Sequence, residues 1–173
     1  MAIKWIENLE DPDLAGPLVL PGAFQAGATA AVAADRLLER TADTNTKWIE
    51  ADSDHDASTT KLAVSLHAIA SGDLAGNYGI IIPRPGDVFE ADLAAASALA
   101  PETALYWSDS ATLTVTAGTN IIGYSVPGPN MPKLQHRLSQ GQLGDNGTTN
   151  LSTNKVRFVF RTAYSAYSLY QRA

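Results

Sequence analysis

Short segments in which polar and apolar residues alternate place the strongest constraint on what this chain can fold into. In residues 60–69 the apolar residues Leu62, Val64, Leu66 and Ala68 recur at every second position. Successive side chains of a strand point to opposite sides, so these residues share one face. Such segments end in clusters of glycine, proline, asparagine or serine, which predicts an all-β fold, a small sandwich or barrel.

Further short strand-forming segments, separated by turn residues, follow along the chain. Residues 78–82 form a β-branched run that ends at the proline- and glycine-rich residues 83–86. Residues 103–107 and 111–116 flank a three-residue loop, which predicts a β-hairpin. Residues 120–126 follow as another strand after a turn. From these strands we expect the following core residues: Val64, Leu66, Ile81, Leu105, Leu113 and Ile121.

Two alanine-rich segments, residues 24–38 and 92–100, are the candidates for helix, because alanine has the highest helix propensity. Neither has a clear apolar stripe, so we expect at most one short helix. Residues 37–41 can equally form a strand.

The tetrapeptide Lys-Trp-Ile-Glu occurs twice, at residues 4–7 and 47–50, each time before an acidic stretch. A match this short does not establish a duplication, and no fixed-period repeat supports a solenoid or a propeller. We interpret both copies as strands with similar local environments.

Composition excludes several classes of protein. Hydrophobic residues make up 45% of the chain, which is enough for a packed core, whereas charged residues make up only 17%. The chain has no cysteine, so disulfide scaffolds, thiolate zinc sites and thiol nucleophiles are excluded. No run approaches the roughly 18 apolar residues of a transmembrane helix, so we expect no membrane partner. Residues 1–7 have no apolar block after their single lysine, which argues against a signal peptide and predicts synthesis in a cytoplasm.

Charge divides the chain into an acidic body and a basic tail. Residues 1–130 hold 6 Lys and Arg against 17 Asp and Glu, a net charge of −11, whereas residues 131–173 hold 6 Lys and Arg against the single acid Asp145, a net charge of +5. A stiff proline-rich linker begins at residue 127. We therefore predict a β-rich body at residues 1–126 and an extended basic C-terminal arm at residues 127–173. The tail can lie across acidic patches of its own body or of a sister subunit.

The arm carries the residues that we expect to contact a partner. Residues 155–161 alternate basic and apolar side chains, and tyrosines follow at intervals of three residues. A single strand leaves its backbone groups unpaired, so this strand should add to a sheet edge of a sister subunit or of a capsid. The alternative is that it completes its own domain's sheet. The candidate interface residues are Lys155, Arg157, Phe158, Phe160, Arg161, Tyr164, Tyr167 and Tyr170.

The motifs that carry chemistry are incomplete. Residues 52–56 alternate carboxylates as a calcium loop does, but Ala57 replaces the turn glycine and Ala63 stands at the position of the bidentate glutamate. None of the three histidines has a second ligand at metal-site spacing. Residues 123–127 lack the second glycine of a nucleophile elbow. We therefore expect no enzyme, no catalytic residues, no metal site and no cofactor.

Nucleic-acid binding is a further option, through Arg157, Arg161, Arg172 and the neighbouring tyrosines, because basic and aromatic side chains together hold a backbone and stack on bases. The acidic body would repel phosphate, so we expect no nucleic-acid partner.

Four segments in the middle third of the chain resemble the head decoration (capsid cement) proteins of tailed phages. They are residues 85–91, with Pro-Gly-Asp-Val-Phe; residues 100–107, ending in Leu-Tyr-Trp; the threonine-rich residues 113–118; and residues 121–124, Ile-Ile-Gly-Tyr. In that family a Gly-x-Phe strand precedes a turn, an aromatic-ended strand, a threonine-rich strand and an Ile-Gly strand. The long N-terminal part and the proline-linked basic tail depart from the short members of the family.

The resemblance implies a small β-barrel or sandwich, often a homotrimer, that binds the major capsid protein on the outside of the assembled head and has no enzymatic role. The location would be the capsid surface of the virion. A second hypothesis is a carbohydrate- or host-surface-binding β-sandwich displayed on a particle, with Trp5, Trp48 or Trp107 as stacking platforms. Exposed tryptophans with polar neighbours favour the second hypothesis, and buried tryptophans favour the first.

Overall fold

The computed structural model describes the main part of the chain up to residue 126 and the strand region near residue 155. The described residues are 3–9, 11, 13–24, 31–40, 47–51, 61–70, 73, 77–94, 99, 102–107, 112–118, 121–126, 150–151 and 155–161. Within these ranges the fold is all-β, as predicted, and contains no α-helix. No helix in this part of the chain is therefore long and apolar enough to cross a membrane.

The described residues form twelve strands. They are β1 (Lys4–Asn8), β2 (Val19–Ala23), β3 (Leu37–Arg40), β4 (Ile49–Glu50), β5 (Lys61–Ser65), β6 (Asn77–Ile81), β7 (Asp87–Asp92), β8 (Ala104–Trp107), β9 (Leu113–Thr114), β10 (Ile121–Ser125), β11 (Asn150–Leu151) and β12 (Lys155–Phe160). Residues 37–40, which the sequence left open between helix and strand, are thus a strand. The remainder of the second alanine-rich segment, beyond Leu93, lies mostly outside the described residues.

The strands form two antiparallel sheets, which we call sheet A and sheet B. Sheet A has the order β1-β7-β12-β10-β8-β9, with β11 paired to β12, and sheet B has the order β2-β6-β5-β3-β4. The predicted hairpin is confirmed, because β8 and β9 pair with Tyr106 opposite Thr114 and Trp107 opposite Leu113.

A single apolar cluster joins the two sheets. Leu37, Val64 and Ile81 come from sheet B, and Leu105 and Leu113 are among the residues from sheet A. Alternation along each strand produces this arrangement, because every second side chain faces the opposite sheet. Four of the six predicted core residues are therefore buried as expected.

The other two predicted core residues depart from the expectation. Leu66 is half-buried and packs against the cluster from its margin. Ile121 is also half-buried, whereas its neighbour Ile122 is completely buried. The pairing of β10 with β8 shifts between Ile121 and Gly123, and an irregularity of this kind changes which face a residue occupies.

Strand β12 lies inside sheet A, between β7 and β10. Phe158 pairs with Phe89 of β7 on one side and with Ser125 of β10 on the other. The strand that we expected to add to a neighbour's sheet edge therefore completes the chain's own sheet. Its apolar face made this outcome favourable, since Val156, Phe158 and Phe160 all enter the main core.

Sheet B curls so that its two edge strands approach each other. The residue after β2, Phe24, forms a parallel bridge with Trp48, which precedes β4, and Trp48 N donates to Ala23 O at 2.9 Å. The concave face of the sheet encloses a second apolar cluster, composed of Phe24, Val32, Leu38, Trp48, Ala63, Ile69 and Ile80. One face of sheet B thus packs on sheet A, and the other surrounds a core of its own.

Candidate functional site

The predicted interface residues on β12 divide into a buried set and a charged set. Phe158 and Phe160 are completely buried and pack with Phe89, whose ring centroid lies 4.9 Å from that of Phe160. The prediction that these two phenylalanines contact a partner is therefore wrong, because the interior of their own sandwich already takes up their apolar surface. Tyr164, Tyr167 and Tyr170 lie outside the described residues.

The charged set pairs with acids of the body. Lys155 Nζ lies 3.3 Å from Glu90 Oε1, and Arg157 lies 3.9 Å from both Glu7 and Glu90. The basic strand thus lies across acidic residues of its own chain, which was one of the two expectations from the charge division. Arg161 follows the strand and is half-buried.

A buried carboxylate organises one end of sheet A. Residues 84–87 form a turn in which Asp87 N donates to Arg84 O at 3.1 Å, and Gly86 has a φ of 82°. A turn with Pro85 at its second position and a glycine of positive φ at its third is a type II turn. The turn places Asp87 at the start of β7 with its side chain completely buried.

The carboxylate of Asp87 accepts hydrogen bonds from three other residues. Trp5 Nε1 and Asn8 Nδ2 of β1 donate to Oδ1 at 2.8 and 2.9 Å. Arg84 donates from its backbone N and its Nε to Oδ2 at 2.9 and 3.1 Å, and from Nη2 to Oδ1 at 3.2 Å. Both oxygens are saturated by the protein, so this group, the Asp87 hub, ties β1 to the turn before β7 and has a structural role.

A cavity of about 440 Å³ opens at the end of sheet B where β3 ends and β5 begins. We call it the cationic pocket. Arg40 and Lys61 are register partners on adjacent strands, and both line the cavity. The guanidinium carbon of Arg40 lies 5.1 Å from the centre of the Trp48 ring, within the range of a cation–π contact.

Apolar side chains make up the remaining wall of the cationic pocket: Leu20, Pro21, Leu62, Ile80, Ile82 and Pro83. Leu20 is 44% exposed, one of the largest exposures of an apolar side chain in the described part of the chain. None of the described residues that line the cavity carries a carboxylate. Within the described ranges, no acidic side chain forms an ion pair with Arg40 or Lys61.

Sequence reasoning missed the cationic pocket. Alternation places Lys61 and Leu62 on opposite faces of one strand, and Glu39 and Arg40 on opposite faces of another. It does not show which residues of the two strands are neighbours. The pairing of Arg40 with Lys61 depends on the long-range register of β3 and β5, and no local pattern encodes that register.

The tryptophans are mostly buried. Trp48 and Trp107 are each 5% exposed, and Trp5 is half-buried with its indole N–H bound to Asp87. An indole ring that stacks on a sugar needs an open face, which neither Trp48 nor Trp107 offers.

The described residues contain no group of three or more His, Asp and Glu side chains that could hold a metal ion. His67 is exposed, and His55 and His136 lie outside the described ranges, as does the acidic segment 52–56.

Comparisons of the chain with protein-family models, with curated proteins and with solved structures gave no match.

Proposed function

We propose that the chain is a non-enzymatic structural protein that decorates and stabilises the outer surface of a phage capsid by binding the major capsid protein. The proposal comes from the resemblance of residues 85–124 to head decoration proteins. The observation that supports it best is the burial of Trp48 and Trp107, since buried tryptophans favour a scaffold over a glycan-binding surface. The alternative of a carbohydrate- or host-surface-binding sandwich is correspondingly less well supported.

The use of buried polar side chains agrees with a scaffold role. Besides the Asp87 hub, Ser65 Oγ donates to Ala33 O at 2.6 Å and accepts from Arg36 N at 2.8 Å. Ser125 Oγ accepts from Thr103 N at 3.0 Å. These groups hold loops against strands, which stiffens a subunit that must keep its shape on a particle.

Attachment to a capsid lattice suits a protein whose individual contacts are weak. Copies bound around a symmetric site act together, so modest contacts give a large total affinity. In this proposal the bound form is a homo-oligomer, with a trimer favoured by the resemblance, and its location is the virion surface.

Co-purification with virions encoded by the same genome tests the proposal. The chain should sediment with intact heads, and cryo-electron microscopy should show its two-sheet density on the outer capsid surface. Absence of the chain from purified heads, or density on the inner surface, would contradict the proposal. Light scattering of the free protein measures whether the subunits associate as trimers before they bind.

A further inference from the structure

The cationic pocket places two like charges directly opposite each other. Arg40 and Lys61 are register partners in the pairing of β3 with β5, and both side chains line the same cavity. Directly opposed like charges destabilise an antiparallel pair. An anion bound between them would remove this repulsion.

The positive charge of this pocket contrasts with the acidic net charge of the chain and with the ion-paired basic residues of sheet A. The chain carries a net charge of −6, and Lys155 and Arg157 on sheet A are paired with Glu7 and Glu90. Among the described residues, Arg40 and Lys61 instead lie with apolar wall residues and the Trp48 ring around the cavity. We propose that the cationic pocket binds an extended segment of a partner protein that carries a carboxylate beside an apolar side chain.

The walls define the apolar half of this ligand. Leu20, Ile82 and Pro83 surround the cavity, and its volume of about 440 Å³ lies within the usual range for ligand sites, roughly 300–1,000 Å³. A free inorganic anion would leave the exposed part of Leu20 in water. A side chain of the Leu or Phe type next to the carboxylate covers this surface and adds hydrophobic free energy.

Strand β2 favours an extended polypeptide as the source of the carboxylate. It is an edge strand of sheet B whose last residue, Ala23, is hydrogen-bonded to Trp48, while Leu20 and Pro21 nearer its start line the pocket. An extended segment that lies along such an edge places alternate side chains over the same face. The choice of a protein partner also rests on the proposed function, whereas the carboxylate and apolar chemistry rests on the pocket alone.

Blocked peptides test the chemistry directly. The probes are acetyl-Leu-Glu-Leu-amide and its neutral counterpart acetyl-Leu-Gln-Leu-amide, titrated into the full chain while the Trp48 indole N–H is followed by NMR. We expect a saturable shift with the Glu peptide and binding about tenfold weaker with the Gln peptide, since a charge-assisted hydrogen bond contributes on the order of 1.4 kcal/mol or more. The Lys61→Gln variant should lose this preference for the Glu peptide. The Lys155→Gln variant, which removes the same charge from sheet A, should keep it.

Several outcomes would overturn the proposal. Equal binding of the two peptides, or no saturable shift of the Trp48 signal, would show that the pocket does not recognise a carboxylate. A Trp48 shift on concentrating the protein alone would assign the pocket to a second copy of the chain. A neutral oligosaccharide such as cellohexaose that shifts Trp48 at lower concentration than the Glu peptide would assign it to a glycan.

Particle binding separates this proposal from the proposed function. Loss of head binding in Lys61→Gln but not in Lys4→Gln, which removes an exposed lysine from β1 of sheet A, would support both. Head binding by Lys61→Gln at the wild-type level, together with no peptide binding, would overturn the pocket proposal and leave capsid decoration intact. If the wild-type chain does not bind heads, capsid decoration fails, and the peptide titration alone decides whether the pocket recognises carboxylates.

Discussion

Trp5 and Trp48 stand at the same position of the two Lys-Trp-Ile-Glu copies, and both copies contribute to a strand, as predicted. Their glutamates also behave alike. Glu7 lies 3.9 Å from Arg157, and Glu50 lies 3.8 Å from Arg36. The rings differ, because Trp5 donates to the buried carboxylate of Asp87, whereas Trp48 lies beneath the guanidinium of Arg40 at the cationic pocket.

The two sites differ in whether a carboxylate of the described residues lies among their basic and aromatic side chains. At the Asp87 hub a tryptophan and Arg84 converge on a carboxylate that the chain itself provides. At the cationic pocket a tryptophan and Arg40 converge on a cavity whose described lining residues include no carboxylate. Similar side chains therefore hold the fold together in one sheet and leave a site for a ligand in the other.

Removal of residues 127–173 should prevent sheet A, and with it the Asp87 hub, from folding. The deletion takes away β12, which lies between β7 and β10 and supplies Phe158 and Phe160 to the main core. We expect no cooperative unfolding transition in urea, followed by circular dichroism. A truncated protein that unfolds cooperatively would show that the arm is dispensable for folding, as expected if its strand added to the sheet edge of a neighbouring molecule.

Asp87→Ala should produce the largest effect of any single substitution considered. It leaves the Arg84 guanidinium and the donors of Trp5 and Asn8 without their buried acceptor. We expect the free energy of unfolding to fall by about 3–5 kcal/mol, measured by urea denaturation. The control Asp13→Ala removes an exposed carboxylate and should change it by less than about 0.5 kcal/mol. Equal effects of the two substitutions would contradict a structural role for the hub.

Substitution of Arg84 or Arg40 by glutamine compares the contributions of the Asp87 hub and the cationic pocket to stability. Arg84→Gln removes charged hydrogen bonds to Asp87 and should lower the free energy of unfolding by about 1.5–3 kcal/mol. Arg40→Gln removes a cation–π contact and should lower it by less than about 1 kcal/mol. Thermal and urea denaturation of both variants measure the difference. A greater loss for Arg40→Gln would mean that the cationic pocket is the more structural of the two sites.

Lys155→Gln should have the smallest effect. Its ammonium lies 3.3 Å from Glu90, but the side chain is 48% exposed, and exposed ion pairs contribute about 0–1 kcal/mol. We expect a change of less than about 0.5 kcal/mol in urea denaturation, which also qualifies this variant as the charge control for the pocket. If Lys155→Gln lowers the free energy of unfolding more than Arg40→Gln does, the Lys155–Glu90 pair stabilises the fold more than the cation–π contact at the cationic pocket, contrary to this expectation.

The sequence predicts the elements of this fold better than their contacts. Alternation identified β5, β12 and the β8–β9 hairpin, because the period of two follows directly from strand geometry. It failed at Ile121, where an irregular pairing moves Ile122 into the core. Alanine content suggested helix across residues 24–38, but the strand at residues 37–40 gains more from burial of its leucines in two cores.

The sites depend on pairings that no local pattern contains. Residues 83–86 were recognisable as a turn, but the partners of Asp87 on β1 are 79 and 82 positions away in sequence. Alternation correctly places Phe158 on the apolar face of its strand. Whether that strand joins its own sheet or a neighbour's depends on the space between β7 and β10, which no local pattern contains.

The central place of β12 has a consequence for biosynthesis. Strand β7 at residues 87–92 leaves the ribosome long before its partner at residues 155–160, so during translation one side of β7 waits for a strand that has not yet been made. Among the described strands, those of sheet B all end by residue 81 and can pair first. Long-range pairing of this kind is slow and exposes strand edges in the meantime. The nascent chain therefore passes through an interval in which the strands of sheet B can pair while β7 and β10 still lack the strand between them, and these two open edges are where association between unfinished chains would begin.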